Sequence, residues 1–293
     1  MSVLGRLWSL MRPVQWVKSG FVFMGLLFAN AWRDPLMLRQ VFLTAAAFSL
    51  VASGVYVFND LFDREHDATH PKKKLRPLAA KTVSVRAALL LLVTLWAAGF
   101  ALGLSVSVRV FFILLTYVLI NLAYSLGLKH VVLLDVFIIA GGFMLRILAG
   151  TAGVGIAPSQ WLLLCGLMVA LFLGFAKRRA ELYALADERV EHRRVLEHYQ
   201  PVLLDKMIVV TATCVILTYG LYTMSPATIQ VHRTESLIYT VPFVMYAVFR
   251  YIYSLHNRQT GTDPAQEIFR DPHILVSALG WLLLTLWLIG RRG

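Results

Sequence analysis

Apolar residues fall in long uninterrupted blocks near 14–32, 38–58, 84–104, 108–125, 132–155, 159–176, 203–224, 236–253 and 272–290, each closed by a polar or charged stretch. Blocks of this length suit a hydrocarbon core about 30 Å thick, which a helix crosses in about 20 residues. Strands of a membrane barrel would need only about 10 residues of alternating character. The block 87–104, rich in Leu, Val and Ala, does not alternate. The pattern predicts an all-α polytopic membrane protein with about nine transmembrane helices in one membrane domain, 1–293. The intervening loops of interest lie near 59–82, 125–131, 177–202 and 254–271.

Charge placement orients these helices. The loop after the second block carries Arg64, Lys72, Lys73, Lys74, Arg76 and Lys81, and the loop after the sixth carries Lys177, Arg178, Arg179, Arg189, Arg193 and Arg194. The connection between the fifth and sixth blocks has no basic residue. Cytoplasmic loops are the Lys/Arg-rich ones, so both charged loops and the N-terminus are expected in the cytoplasm. Arg291 and Arg292 fall on the other side as an exception. Composition agrees with the membrane reading: 58% of residues are hydrophobic, 15% are charged, and mean hydropathy is +0.69. A soluble domain carries about a quarter charged residues. The net charge of +12 sits in membrane-flanking loops, which favours anionic lipid headgroups or phosphorylated substrates over nucleic acid. Cys165 and Cys214 lie inside apolar blocks and read as small buried hydrophobes. Segment 16–32 is long and lacks a small-residue cleavage site, so it is expected to remain as a span rather than be removed as a signal.

Candidate chemistry begins at the end of the second block with Asn59-Asp60-x-x-Asp63-x-x-x-Asp67. Spacings of three and four place these residues along one side of a helix. Three carboxylates in two turns repel one another unless a cation neutralises them. Mg²⁺ takes one or two carboxylates and completes its octahedron with water and phosphate oxygens. The bland alternative is a solvated acidic helix end, but acidic clusters do not serve the positive-inside rule. His70-Pro71-Lys72-Lys73-Lys74-Leu75-Arg76-Pro77 follows at once. A cationic run alone is usually a topology anchor; beside an acidic stripe it completes the composition of a diphosphate pocket. A faint repeat, Tyr124-Ser125-Leu126 and Tyr253-Ser254-Leu255, hints at two related halves of the kind that often flank a site in membrane proteins.

The stripe at this position in a chain of about nine helices resembles the UbiA superfamily of intramembrane prenyltransferases. Three further segments narrow the resemblance: Arg12-Pro13-x-Gln15-Trp16-x-Lys18; Tyr124-Ser125-x-x-Leu128-Lys129 with Leu134-Asp135-Val136 and Gly142-Phe143-x-Leu145-Arg146; and Gly261-x-Asp263-Pro264 with Asp271. Together they are similar to the decaprenyl-phosphate phosphoribosyltransferase branch, although Ser19 stands where that branch has asparagine. Members that use prenyl diphosphates resemble one another in a second Asp-rich motif after span six. Here Lys177-Arg178-Arg179-x-Glu181 occupies that place, so a cationic anion site is expected there in place of a second metal, although an ordinary basic anchor reads equally from the residues alone.

The resemblance implies a helical bundle with a central cavity open to the cytoplasm, in the plasma membrane of a bacterium, serving cell-envelope synthesis. It implies Mg²⁺ held by Asn59, Asp63 and Asp67, with Asp60 as ligand or behind the ligands, and Lys73 and Arg76 on the diphosphate. Lys129, Lys177 and Arg178 would position the acceptor phosphate or the sugar 5-phosphate, Asp135 the ribose hydroxyls, and Tyr124 joins them as a match to the family motif. Lys18 is read as a substrate contact or a side chain reaching to the interface. Asp135 and Arg146, eleven positions apart within one block, are costly in a membrane and therefore functional candidates, with structural salt bridges as the alternative. The expected partners are phosphoribosyl diphosphate, a polyprenyl phosphate and the bilayer; a homo-oligomer is left open. Two rival readings are prenyl transfer from a polyprenyl diphosphate to an aromatic or other small acceptor, and a non-enzymatic lipid or anion transporter.

Overall fold

The computed structural model describes residues 3–69, 73–187, 199–257 and 271–291. His70, Pro71, Lys72, Arg189, Arg193, Arg194, Gly261, Asp263, Pro264 and Arg292, singled out above, lie outside the described residues. The described residues are helical, and eight of their helices are long and apolar enough to cross a membrane. By packing, the chain divides into two compact units, Met1–Pro158 and Ser159–Gly293.

The first unit opens with α1 (Val3–Met11), a 3₁₀ segment (Pro13–Phe23) and α2 (Met24–Phe28). The predicted first span, 14–32, is therefore a broken element. Arg12 adopts a left-handed conformation (φ 51°) before Pro13, and this turns the chain between α1 and the 3₁₀ segment. Eleven 3₁₀ residues at about 2.0 Å each and five α residues at about 1.5 Å each reach roughly 30 Å, the depth of a hydrocarbon core.

The central helix of this unit is α3 (Pro35–Phe62), the most buried of the eight candidate spans, with 61% of its apolar window inside. It starts cleanly because Asp34 accepts the N–H groups of Leu36 and Met37 and Pro35 needs no partner at its first turn. α4 (Arg64–Thr69), α5 (Val85–Val106), α6 (Val108–Leu126) and α7 (Leu134–Ala149) follow. α3 packs against α5, α6 and the 3₁₀ segment around Phe48, Val51, Val55, Leu114 and Tyr117.

Polar ties on α3 hold the 3₁₀ segment to it. Trp16 Nε1 donates to Ser53 Oγ at 2.9 Å, and Ser49 Oγ donates to Ser19 Oγ at 2.8 Å. Ser19, the departure noted above, thus serves as a buried tie between two spans. Gly150, at the end of α7, lies so close to the 3₁₀ segment that a Cβ there would sit 1.7 Å from the Val22 carbonyl oxygen.

The second unit contains α8 (Gln160–Asp187), α9 (Pro201–Met224), α10 (Pro226–His232), α11 (Val241–Asn257) and α12 (Pro272–Gly290). α8 packs on α9, and α11 packs on α12. The charged stretch expected as a loop from 177 begins instead as helix, since α8 runs on to Asp187. Lys-Arg-Arg-Ala-Glu-Leu is made of strong helix formers, and Arg178 pairs with Glu181 one turn on. Asp271 caps α12 by accepting from His273 N–H at 2.9 Å and Ile274 N–H at 3.4 Å. Burial would raise the Asp271 carboxyl, but the Arg250 guanidinium at 3.0 Å and those two backbone donors hold it below the usual carboxylate range.

Candidate functional site

The acidic stripe straddles a helix boundary. Asn59 and Asp60 occupy the last turn of α3, Asp63 caps that helix, and Asp67 lies on α4. The hydrogen-bond ladder continues through the boundary: Asp63 N–H donates to the Asn59 carbonyl at 2.9 Å and Asp67 N–H to the Asp63 carbonyl at 2.8 Å. At about 100° per residue, Asp60 and Asp67 come round to nearly one azimuth, while Asn59 and Asp63 occupy the adjoining face. The stripe is therefore two pairs, each with its own partners.

Asp60 and Asp67 are 3% and 2% exposed. Arg76 Nη1 lies between them, 3.2 Å from Asp60 Oδ1 and 2.6 Å from Asp67 Oδ2. Arg12 Nη2 reaches the same Asp60 Oδ1 at 2.5 Å, with its guanidinium carbon 5.2 Å from the Tyr56 ring centre. Lys73 Nζ stands 3.9 Å from Asp67 Oδ1. On the adjoining face Lys129 Nζ, delivered by the 3₁₀ turn Leu128–His130, lies 3.1 Å from Asp63 Oδ1. Ser125 Oγ donates to Asn59 Oδ1 at 2.5 Å. The first unit thus gathers three carboxylates, one amide and four cations at one end of α3. Ion pairs this dry are stable only where each charge has a close partner.

Two further expected residues lie on α7. Asp135, fully buried, and Arg146, 4% exposed, stand at opposite ends of α7. Arg146 donates to the Gly142 carbonyl at 2.8 Å and to Tyr117 Oη at 3.2 Å. Its guanidinium carbon lies 4.7, 4.9 and 5.6 Å from the ring centres of Phe48, Tyr117 and Phe143. Phe48 precedes Asp60 by twelve positions on α3, about 18 Å of helix, so Arg146 is set well below the stripe. The aromatic faces supply the attraction that a carboxylate would otherwise give and join α7 to α3 and α6. Tyr124 and Lys18 are half-buried in the first unit.

In the second unit, Lys177, Arg178 and Arg179 lie on α8. Arg178, 1% exposed, is ion-paired with Glu181; Arg179 is ion-paired with Asp205 of α9, donates to the Leu255 carbonyl at 3.1 Å and covers the Tyr183 ring. The two arginines expected to meet an anion are thus each engaged by a carboxylate. The residue pattern did not single out Arg12, Ser125 and Asp205 as partners of the candidate residues Asp60, Asn59 and Arg179. For the first two a signal existed: Arg12 opens the Arg-Pro-x-Gln-Trp-x-Lys segment and Ser125 lies in the repeated Tyr-Ser-Leu. Asp205 carried none.

A profile of the UbiA prenyltransferase family matches residues 19–270. The chain belongs to the UbiA prenyltransferase family. This UbiA-family chain is an integral membrane transferase. It is 32% identical over 282 residues to the decaprenyl-phosphate phosphoribosyltransferase of Corynebacterium glutamicum, covering 93% of this chain and 83% of that one. It is 30% identical to the Mycobacterium tuberculosis protein of the same name, covering 92% and 90%. The fold is that of a UbiA homolog from Archaeoglobus fulgidus solved with GPP and Mg²⁺: the TM-score is 0.72 at 18% identity, over 97% of this chain and 99% of that one.

Proposed function

We propose that this chain transfers 5-phosphoribose from 5-phosphoribosyl 1-diphosphate to a polyprenyl phosphate of decaprenyl type, releasing diphosphate at the cytoplasmic face of a bacterial plasma membrane. The observation that carries this reading is the cluster of Arg12, Lys73, Arg76 and Lys129 on the oxygen-donor stripe. It is supported by two nearly full-length relatives named for this activity.

The stripe fits Mg²⁺. Its donors are all oxygen, and among the described residues no three of His, Cys, Asp and Glu converge to hold a metal alone. A hard cation satisfied by one or two carboxylates and completed by phosphate oxygens suits such a set. The ammonium of Lys129 against Asp63 supports this reading, since the carboxylate already accepts a cation there. Asn59, Asp63 and Asp67 would hold the ion, which when bound neutralises the diphosphate and makes it a better leaving group.

The chain's own residues do the rest. Lys73 and Arg76 bind diphosphate oxygens by charge-assisted hydrogen bonds. Lys129 holds the acceptor phosphate or the sugar 5-phosphate, and Asp135 takes ribose hydroxyls. The acceptor phosphate oxygen, already anionic, forms the bond to the ribose C1 as the bond from C1 to the diphosphate oxygen breaks, with inversion at that carbon and an oxocarbenium-like transition state. No general base is needed.

The test is to incubate purified protein with labelled phosphoribosyl diphosphate, prenyl diphosphate and polyprenyl phosphate. A labelled ribose-phosphate lipid supports the reading, whereas prenyl transfer to a small acceptor, or no transfer at all, overturns it. Chelation should stop turnover and Mg²⁺ restore it, and Asp63→Ala should be inactive while still folded.

A further inference from the structure

Asp60 differs from the other members of the stripe in having both a dry setting and two guanidinium partners. Its Oδ1 atom accepts from Arg12 Nη2 at 2.5 Å and from Arg76 Nη1 at 3.2 Å. A carboxylate oxygen occupied by two cations is poorly placed to ligate a third. Each arginine spends one nitrogen on these carboxylates: Arg12 uses Nη2 on Asp60, and Arg76 uses Nη1 on Asp60 and Asp67. A guanidinium has five N–H donors in a fixed fork, so both retain donors with no acceptor among the described residues. Their side chains are 31% and 32% exposed, so neither guanidinium is sealed from solvent. The Tyr56 ring beneath Arg12 and the turn at its left-handed backbone set the direction of that fork. Two arginines that share one anchoring carboxylate and keep unused N–H donors have the geometry for planar, two-point recognition of a phosphate.

We propose that Arg12 and Arg76 form a two-guanidinium clamp for a phosphate group of the donor diphosphate, and that Asp60 is its positioning residue and not a metal ligand. The proposal rests on the functional reading above for the identity of the donor. It adds Arg12, a residue ahead of the first span, to the substrate contacts, and it removes Asp60 from the metal's coordination.

Binding measurements separate the roles without turnover. Inorganic diphosphate binding is followed by calorimetry and Mn²⁺ binding by electron paramagnetic resonance, on full-length protein in detergent, for wild type, Arg12→Ala, Arg12→Lys, Asp60→Asn and Asp63→Asn. The clamp predicts that Arg12→Ala weakens diphosphate binding at least tenfold, that Arg12→Lys recovers only part of it, and that Mn²⁺ affinity stays within about twofold of wild type. Asp60→Asn should likewise lose diphosphate affinity and keep Mn²⁺, while Asp63→Asn loses Mn²⁺. Retained Mn²⁺ binding also certifies that a variant is folded at the site; for any variant that loses both ligands, melting temperature and the conservative Arg12→Lys and Asp60→Asn pair decide. The proposal is overturned if Asp60→Asn loses Mn²⁺ as Asp63→Asn does, or if Arg12→Ala binds diphosphate like wild type. Diphosphate binding by wild type without phosphoribosyl transfer would refute the functional reading and leave the clamp standing.

Discussion

Removing Arg76 is the most informative single perturbation, because it withdraws one cation from two carboxylates at once. Asp67 is 2% exposed and its nearest partner is Arg76 at 2.6 Å; what remains is Lys73 at 3.9 Å. Asp60 keeps Arg12 at 2.5 Å. Breaking a buried ion pair from one side costs about 3–5 kcal/mol. The Arg76 side chain is itself 32% exposed, so water screens part of that, and Lys73 compensates for more. Arg76→Ala should therefore cost about 2–3 kcal/mol at neutral pH, or roughly 5 °C of melting temperature in a chain this long.

The cost comes from a stranded charge, so a second substitution should relieve it. In Arg76→Ala/Asp67→Asn the buried carboxylate is gone, and the double variant should recover about 2 kcal/mol relative to the sum of the single changes. It should nevertheless stay inactive, since it lacks a diphosphate contact and a proposed metal ligand. Thermal unfolding of the four proteins in one detergent, with transfer activity measured on each, provides the cycle. Additive losses, or a double variant no more stable than Arg76→Ala, would refute the claim that Arg76 neutralises Asp67. A wild-type rate in the double variant would refute the site.

Three further outcomes are expected. Gly150→Ala should lower stability by more than about 3 kcal/mol, beyond ordinary overpacking, because its Cβ would meet the Val22 carbonyl oxygen at 1.7 Å; an unchanged melting temperature would count against the close approach of α7 and the 3₁₀ segment. Ser125→Ala, which frees Asn59 Oδ1, should reduce turnover about tenfold and weaken Mn²⁺ binding, as loss of a partner behind a metal ligand does. Asp271 has a depressed carboxyl, so its contribution is complete above the unfolded value of about 4 and disappears as pH falls through the lower folded value; Asp271→Asn should flatten the acid side of the melting-temperature profile and leave activity at neutral pH within about twofold of wild type.

Local chemistry accounts for what could be read along the chain. Long apolar blocks can only be helices in a bilayer, because every backbone N–H and C=O must be satisfied within its own segment; that dictates the architecture and most span boundaries. The stripe at 59–67 and the cations after it were equally legible, since spacing on a helix is a local property. The broken first span was not, because apolar character alone does not distinguish an α-helix from a 3₁₀ segment, and the break depends on Arg12, Pro13 and the crossing at Gly150. Nor did spacing reveal that Asp60 faces two arginines, one of them 48 positions earlier, while Asp63 faces Lys129, 66 positions later. The same limit applies to Arg146, whose isolation among Phe48, Tyr117 and Phe143 is a product of three helices meeting. Sequence by itself determined which groups carry charge and that a membrane surrounds them. Only the tertiary structure decided which charges pair, because a carboxylate's partner is set by distance through space and by the exclusion of water, and neither is written in the order of residues.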